Sequence, residues 1–146
     1  MREIKFRGKA SNGEWHYGDL EHSPIGKFCR IHEYWDNGLY KSQYDVNPTT
    51  VGQFTGLQDN DGNDVYEGDI IEMAEHQPKA GMIGEVLWFK SVDEDYPEID
   101  VFRVGWYVRS VDRIGGEYIL LPSVIPYGKV IGNIHDNPEL VEKGEH

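Results

Sequence analysis

Apolar and polar side chains alternate along most of this chain, which is the spacing of β-strands that bury one face. Residues 4–7 and 14–20 alternate in this way on either side of the turn residues 11–13, so they predict a β-hairpin. Residues 28–40 repeat the arrangement, with an Asp-Asn-Gly turn at 36–38. The first third of the chain is therefore predicted to consist of strands joined by tight turns.

The remaining apolar segments are also short and are separated by turn residues. Strands are predicted at residues 51–54, 65–71, 83–89, 99–104, 106–108, 118–121 and 129–134. Helical periodicity is almost absent, and the best helix candidate begins after Asn137, a suitable cap, with Pro138 at its first position. The pattern predicts a mainly β fold, a small barrel-like or sandwich domain of short antiparallel strands. A short C-terminal helix or tail is predicted at residues 136–146, and a loop insertion at residues 92–100.

The segment that most resembles a functional site is the acidic, glycine-containing stretch of residues 55–71, TGLQDNDGNDVYEGDII. An EF-hand calcium loop needs oxygen ligands at positions 1, 3, 5 and 12 and a glycine at position 6. With Gly62 at position 6, Leu57 occupies the first ligand position and Gly68 occupies that of the bidentate glutamate. Counting from Asp59 instead places Asp64 where the glycine is needed, so the spacing argues against an EF-hand.

A turn between strands explains the same segment better. The dipeptide Asp61-Gly62 tolerates positive φ and is typical of hairpin turns. Residues 65–71 contain strand-forming side chains and are predicted to form the returning strand. Gly68 and Asp69 are predicted to form a bulge or bend within that strand.

Length and composition suit a single domain over residues 1–146. The only cysteine, Cys29, excludes an intramolecular disulfide, and its aromatic, strand-like surroundings favour a small buried hydrophobe. The longest apolar tract, residues 118–127, is interrupted by Pro122 and Pro126 and is too short to span a bilayer. Without an apolar segment after the first residues, a cytoplasmic location is expected.

Negative charge is concentrated in the middle of the chain. The net charge is −12, and residues 51–100 contain thirteen acidic and two basic residues. Such a field repels the phosphates of DNA and RNA, so direct nucleic-acid binding is disfavoured. Two interpretations stay open: these acids form a solvated surface that keeps the protein soluble, or they attract a basic partner.

Candidate catalytic and metal sites are weak in this sequence. The six histidines lack the spacing of a zinc site, and neither a dinucleotide-binding motif nor a P-loop is present. Glu67 and Asp69 would share one face of a strand, but strands produce such pairs by chance. No catalytic residue, metal ligand or cofactor is therefore predicted. The eighteen aromatic residues are expected mostly on buried sheet faces, and any that stay exposed would mark a subunit or partner interface.

Four segments together resemble the YopX family, small proteins encoded by phages and prophages: residues 2–7, residues 50–57, Gly62 with residues 66–70, and residues 130–140. The resemblance implies a mainly β domain of phage origin without an established activity, and it carries over no catalytic residue. The family's turn usually contains lysines among its acids, whereas residues 59–64 contain none. The structural motif comprises Gly56, Gly62, Gly68, Gly132, Asn133, Asn137 and Pro138.

These observations lead to one hypothesis and one alternative. The hypothesis is a non-enzymatic, homo-oligomeric accessory protein in the cytoplasm of the bacterial host, which binds a protein partner, with a basic protein as one candidate. Its sharpest version is an acidic inhibitor of a host nucleic-acid-binding protein. The residues assigned to partner binding are Asp59, Asp61, Asp64, Glu67 and Asp69. The alternative is a metal-dependent hydrolase or nuclease that uses the carboxylates of residues 59–69.

Overall fold

The computed structural model describes residues 3–25, 27–74, 81–91, 103–111 and 118–142. The chain forms two compact units, Met1–Gly56 and Leu57–His146, called here the N-terminal and C-terminal units. The predicted loop insertion at residues 92–100 lies outside the described residues. The expectation of a single domain over residues 1–146 stays a prediction.

The N-terminal unit is an antiparallel sheet in the strand order β4-β3-β2-β1-β5. Its strands are β1 (Phe6–Lys9), β2 (Trp15–His22), β3 (Cys29–Tyr34), β4 (Tyr40–Val46) and β5 (Gly52–Gln58), the last of which crosses the division between the units. A 3₁₀ turn at Pro48–Thr50, capped by the Asn47 side chain, links β4 to β5. Both hairpins predicted in the first third of the chain are confirmed.

The N-terminal core follows the period-2 pattern of β3. Cys29 and Ile31 are buried with Val46, while Arg30 and His32 alternate with them and are partly exposed. The interpretation of Cys29 as a small buried hydrophobe is therefore confirmed.

The C-terminal unit contains a second antiparallel sheet, in the order β10-β9-β8-β7-β11. The strands of this sheet are β7 (Asp69–Met73), β8 (Ile83–Ser91), β9 (Arg103–Ser110), β10 (Tyr118–Leu120) and β11 (Gly128–Asn133). The unit also contains β6 (Asp64–Tyr66), which pairs with β5 and not with this sheet. Two short helices, α1 (Leu121–Val124) and α2 (Glu139–Glu142), follow β10 and β11. The predicted mainly β fold with a short C-terminal helix is confirmed, as two antiparallel sheets.

Two local predictions are corrected by this unit. Residues 65–71 do not form one strand, because the bulge or bend predicted at Gly68 and Asp69 is instead a full turn at Glu67 and Gly68 that separates β6 from β7. Gly68 has φ +91°, a left-handed conformation that ends the first strand. The strand predicted at residues 118–121 ends at Leu120, and α1 and a 3₁₀ turn at Ile125–Tyr127 follow it. Pro122 and Pro126 are the second residues of these two elements, in the first turn, where a helix tolerates proline.

The core of the C-terminal unit gathers side chains from several of these elements. Its buried members are Val65, Ile71, Met73, Met82, Val86, Val108, Leu121, Val124 and Ile125. Leu121 is fully buried, so α1 closes this core although its sequence shows no amphipathic period. None of the helices in the described part of the chain has the length and apolar composition needed to cross a membrane.

Candidate functional site

The predicted turn at Asp61 and Gly62 is present between β5 and β6. Gly62 has φ +84°, and its N–H donates to the Asp59 carbonyl oxygen at 3.0 Å. The Asp59 N–H in turn donates to the carbonyl oxygen of Asn63 at 2.9 Å. The left-handed angle, which glycine adopts without cost, therefore fixes the shape of this acidic turn.

The Asp59 carboxylate holds the turn together from inside. Its Oδ1 accepts hydrogen bonds from the backbone N–H groups of Asp61 at 3.0 Å and Asn63 at 2.9 Å. Its Oδ2 accepts from the Val130 N–H at 2.9 Å and from the Asn63 side-chain amide at 3.4 Å. Asp59 is only 6% exposed, so it ties the turn to β11 rather than facing a partner.

These hydrogen bonds also set the charge state of Asp59. Burial raises the pKa of the carboxyl, but the N–H groups of Val130, Asn63 and Asp61 favour the carboxylate and outweigh it, so the pKa lies below its ordinary value. The carboxylate stays charged although it is buried, because several hydrogen-bond donors replace the water molecules that it loses on folding.

Acid is expected to weaken the fold through this group. A carboxyl whose pKa is depressed in the folded state stabilises the fold above its unfolded-state pKa, and the stabilisation is lost as the pH falls through the folded-state value. We expect the free energy of unfolding to decrease below about pH 4, the ordinary aspartate pKa, and to decrease less in Asp59→Asn. Urea unfolding at a series of pH values measures both proteins. Equal acid sensitivity would contradict this role of Asp59.

Asp69 is a second acidic residue that is buried rather than exposed to solvent. It is 2% exposed, and its Oδ2 accepts the Tyr66 N–H at 2.7 Å across the turn between β6 and β7. The expectation that the acids of the middle third face solvent is therefore wrong for Asp59 and Asp69. The pairing of Glu67 with Asp69 on one strand face is also wrong, because the turn separates the two residues.

The other three acids assigned to partner binding are accessible to different degrees. Asp61 is exposed at the tip of the turn, whereas Asp64 and Glu67 are half-buried. The Asp64 carboxylate accepts a hydrogen bond from the Gln58 side chain at 3.1 Å. The structure thus leaves Asp61 as the most accessible of the five, and their role in partner binding stays a prediction.

A cavity of about 320 Å³ opens beside the acidic turn, and we call it the turn cavity. Its lining combines the turn with β7 and β11: Asn60, Asp61, Glu72, Met73, Ala74, Tyr127, Gly128 and Lys129. Asn60 fastens the turn to its opposite wall, because its N–H donates to the Gly128 carbonyl and its amide to the Pro126 carbonyl, both at 2.9 Å. The sequence does not predict that Glu72, Tyr127 and Lys129 lie beside the turn, because none of them is near it along the chain.

Metal-binding side chains do not converge in the part of the chain that the structure describes. No group of three or more His, Cys, Asp or Glu residues there could hold a metal ion. His16 and His32 instead contact carboxylates, with ring nitrogens 2.8 Å from Glu33 and 2.9 Å from Glu21, respectively.

Exposed aromatic side chains gather at the turn between β3 and β4. Tyr34, Trp35, Leu39 and Tyr40 are each 48–64% exposed, and we call them the aromatic tip. Two hydrogen bonds close the backbone turn beneath them: the Trp35 N–H donates to the Leu39 carbonyl and the Gly38 N–H to the Trp35 carbonyl, both at 2.8 Å. Tyr34 and Tyr40 pack edge to face with ring centres 5.6 Å apart. Tyr34, Trp35 and Tyr40 are thus among the exposed aromatic residues that the sequence associated with an interface.

Comparison with known proteins places this chain in a family. The model of the family described as YopX protein matches residues 5–142. The chain belongs to the YopX family. The match covers all of the described turns and sheets, so the resemblance found in the four sequence segments is confirmed.

Other comparisons add less about this YopX family protein. The crystal structure of protein EF1440 from Enterococcus faecalis is similar to it, with 20% sequence identity and a TM-score of 0.48. The similarity covers 97% of this chain and 99% of that one. No curated protein matches the chain.

The C-terminal motif of this YopX family protein is a second hydrogen-bonded turn. The Asn133 side-chain oxygen accepts the N–H groups of His135 at 3.0 Å and Asp136 at 2.9 Å. The Asn137 side chain, predicted as a helix cap, accepts instead the Asn133 N–H at 3.2 Å. Pro138 directly precedes α2 rather than lying in its first turn. The motif residues therefore shape the chain ahead of the helix.

The glycines of the motif have separate structural reasons. Gly62 and Gly68 occupy left-handed turn positions, and Gly56, an exposed residue of β5, has φ +83°. Gly132 is needed for space, because a Cβ atom there would overlap the Asn137 side chain. The four glycines thus have structural roles in the backbone, and none of them indicates a catalytic or binding function.

Proposed function

We propose that this YopX family protein is a non-enzymatic, phage- or prophage-encoded accessory protein that binds a protein partner through its aromatic tip. The observation that carries the proposal is the clustering of four large, half-exposed side chains around one hydrogen-bonded turn. Trp and Tyr are the residues that contribute most to binding energy when a partner covers them. An exposed aromatic cluster costs solubility unless a partner uses it, which supports a binding role.

Two kinds of partner fit the aromatic tip. A second copy of the chain would make the protein a homo-oligomer, and a protein of the bacterial host would make it an effector of that host. Sedimentation velocity of the purified protein tests the first, and capture from the lysate of phage-infected host cells tests the second.

Replacing Trp35 is expected to remove partner binding while leaving the fold intact. Trp35 is 55% exposed, so Trp35→Ser should change the free energy of unfolding little. If Trp35 is a binding hot spot, the variant weakens self-association or capture by about tenfold or more. Trp88, which is 52% exposed in the C-terminal unit, provides a control matched in residue type and exposure.

The result is read by comparing the two variants. Loss in Trp35→Ser with retention in Trp88→Ser supports the aromatic tip. Unchanged sedimentation and unchanged capture with Trp35→Ser would contradict the proposal, and equal losses in both variants would mean that the effect is not specific to the tip.

The narrower version, an acidic inhibitor of a host nucleic-acid-binding protein, relies on outward carboxylates. Asp61 supports it best, since it is exposed and forms the tip of a rigid turn. A test must reverse Asp61 and leave Asp59 intact, because Asp59 holds the turn. If Asp61→Lys leaves capture of basic proteins unchanged, this version is wrong. The metal-dependent hydrolase is not proposed, since Asp59 and Asp69 direct their oxygens to backbone N–H groups.

A further inference from the structure

We propose that the turn cavity is a binding site for the cationic side chain of a basic peptide, with an arginine guanidinium as its ligand. The site lies entirely in the C-terminal unit, so it is independent of the aromatic tip and extends the proposed function. The inference rests on the charges, the aromatic wall, the rigidity and the size of this cavity.

Three charged groups line the cavity. Asp61 and Glu72 contribute two carboxylates, and Lys129 contributes one ammonium group. Glu72 and Lys129 are cross-strand partners between β7 and β11, yet neither forms an ion pair with another described residue. The Asp61 carboxylate likewise has no hydrogen-bond or ion-pair partner among the residues described. The excess of negative charge selects a cation.

The apolar part of the lining suits the same ligand. Tyr127, which is 46% exposed, contributes an aromatic ring to the lining, and the buried Met73 contributes an apolar side chain. A guanidinium group stacks on aromatic rings and pairs with carboxylates, while its methylene stem contacts apolar surface. One long basic side chain therefore satisfies both parts of this lining.

The cavity is pre-formed by the fold. The two hydrogen bonds from Asn60 to Gly128 and Pro126, together with the Asp59 bond to Val130, hold the acidic turn against β11. A ligand that enters need not order the turn, which lowers the cost of binding. At about 320 Å³ the cavity is at the small end of ligand sites, so it fits one side chain better than a large cofactor.

The test titrates the full chain with N-acetyl-arginine methylamide and follows backbone amides by NMR. N-acetyl-citrulline methylamide is the control, because it has nearly the same shape without the charge. We expect saturable shifts at Asn60, Gly128 and Lys129 with the arginine compound and none over the same concentrations with the citrulline compound. No saturable shift at these residues, or equal shifts with both compounds, would overturn the proposal.

Three variants check the role of each charge. Glu72→Gln and Asp61→Asn are each expected to weaken arginine binding by about fivefold, the upper range for an accessible ion pair. Lys129→Gln is expected to strengthen it, because a competing cation is removed. Weaker binding of the arginine compound in Lys129→Gln would show that the charge of the cavity does not select a cation and would refute the assignment. Trp35→Ser should bind the arginine compound like the wild type, so failure of the aromatic-tip proposal and failure of this one are distinguishable.

Discussion

Replacing Asp59 by asparagine is expected to lower the free energy of unfolding by about 3 kcal/mol, the range for hydrogen bonds to a buried charged group. The side chains have nearly the same shape, so the loss comes from chemistry. An amide NH₂ in place of Oδ2 would face the Val130 N–H, and two donors cannot pair. Both Val130 N–H and the new amide would then lack an acceptor in a buried place.

Urea unfolding followed by far-ultraviolet circular dichroism measures this loss, and amide hydrogen exchange locates it. We expect faster exchange at Asn63 and Val130, which are two of the three backbone donors to Asp59 and contact one carboxylate oxygen each. Asp61→Asn is the matched control, because Asp61 lies two residues away and its carboxylate is exposed. Similar losses in both variants would show that general charge, not the buried hydrogen bonds, stabilises the turn.

Gly18→Ala is expected to destabilise the N-terminal unit by about 3 kcal/mol or more, at the upper end for an overpacked site. A Cβ atom on Gly18 would overlap the backbone carbonyl of His32 on the neighbouring strand. A backbone oxygen in a paired strand cannot rotate away as a side chain can. The substitution would therefore push β2 and β3 apart where the two strands begin to pair.

Thermal unfolding of Gly18→Ala beside Gly105→Ala measures this effect. Gly105 is also a strand glycine, but a Cβ there would meet only a Tyr107 ring carbon at 4.0 Å, an ordinary contact. We expect the control to change the melting temperature little. A Gly18→Ala protein as stable as the control would mean that β2 and β3 do not approach as closely as the structure shows.

Local patterns predicted much of the secondary structure of this chain. The strands around residues 11–13 and 36–38 follow from a two-residue period and from turn residues, which are properties of neighbours in sequence. Gly62 belongs to the same class, since positive φ is a property of one residue. The fold class and the family could therefore be predicted without coordinates.

Local sequence patterns did not predict the structure where a residue's contacts come from segments that are distant along the chain. Leu121 begins a helix because its side chain fills the core of the C-terminal unit, and nothing in its immediate sequence has helical period. The aromatic tip shows the same limit for exposed residues. Alternation of apolar and polar residues around Tyr34 and Tyr40 predicts strands, but it does not reveal which aromatic side chains stay exposed. Burial depends on which other elements pack nearby.

The same distinction between local pattern and tertiary contact applies to the candidate sites. Sequence alone determined that the middle of the chain is acidic and that Asp61 and Gly62 form a turn. Only the tertiary structure decided that Asp59 is buried, because the donor that makes burial favourable, Val130, lies 71 residues further along the chain. It also assembled the turn cavity, since Glu72 and Lys129 become neighbours through the pairing of β7 with β11. A carboxylate's role is set by the donors and charges around it, and those come from strands that only folding brings together.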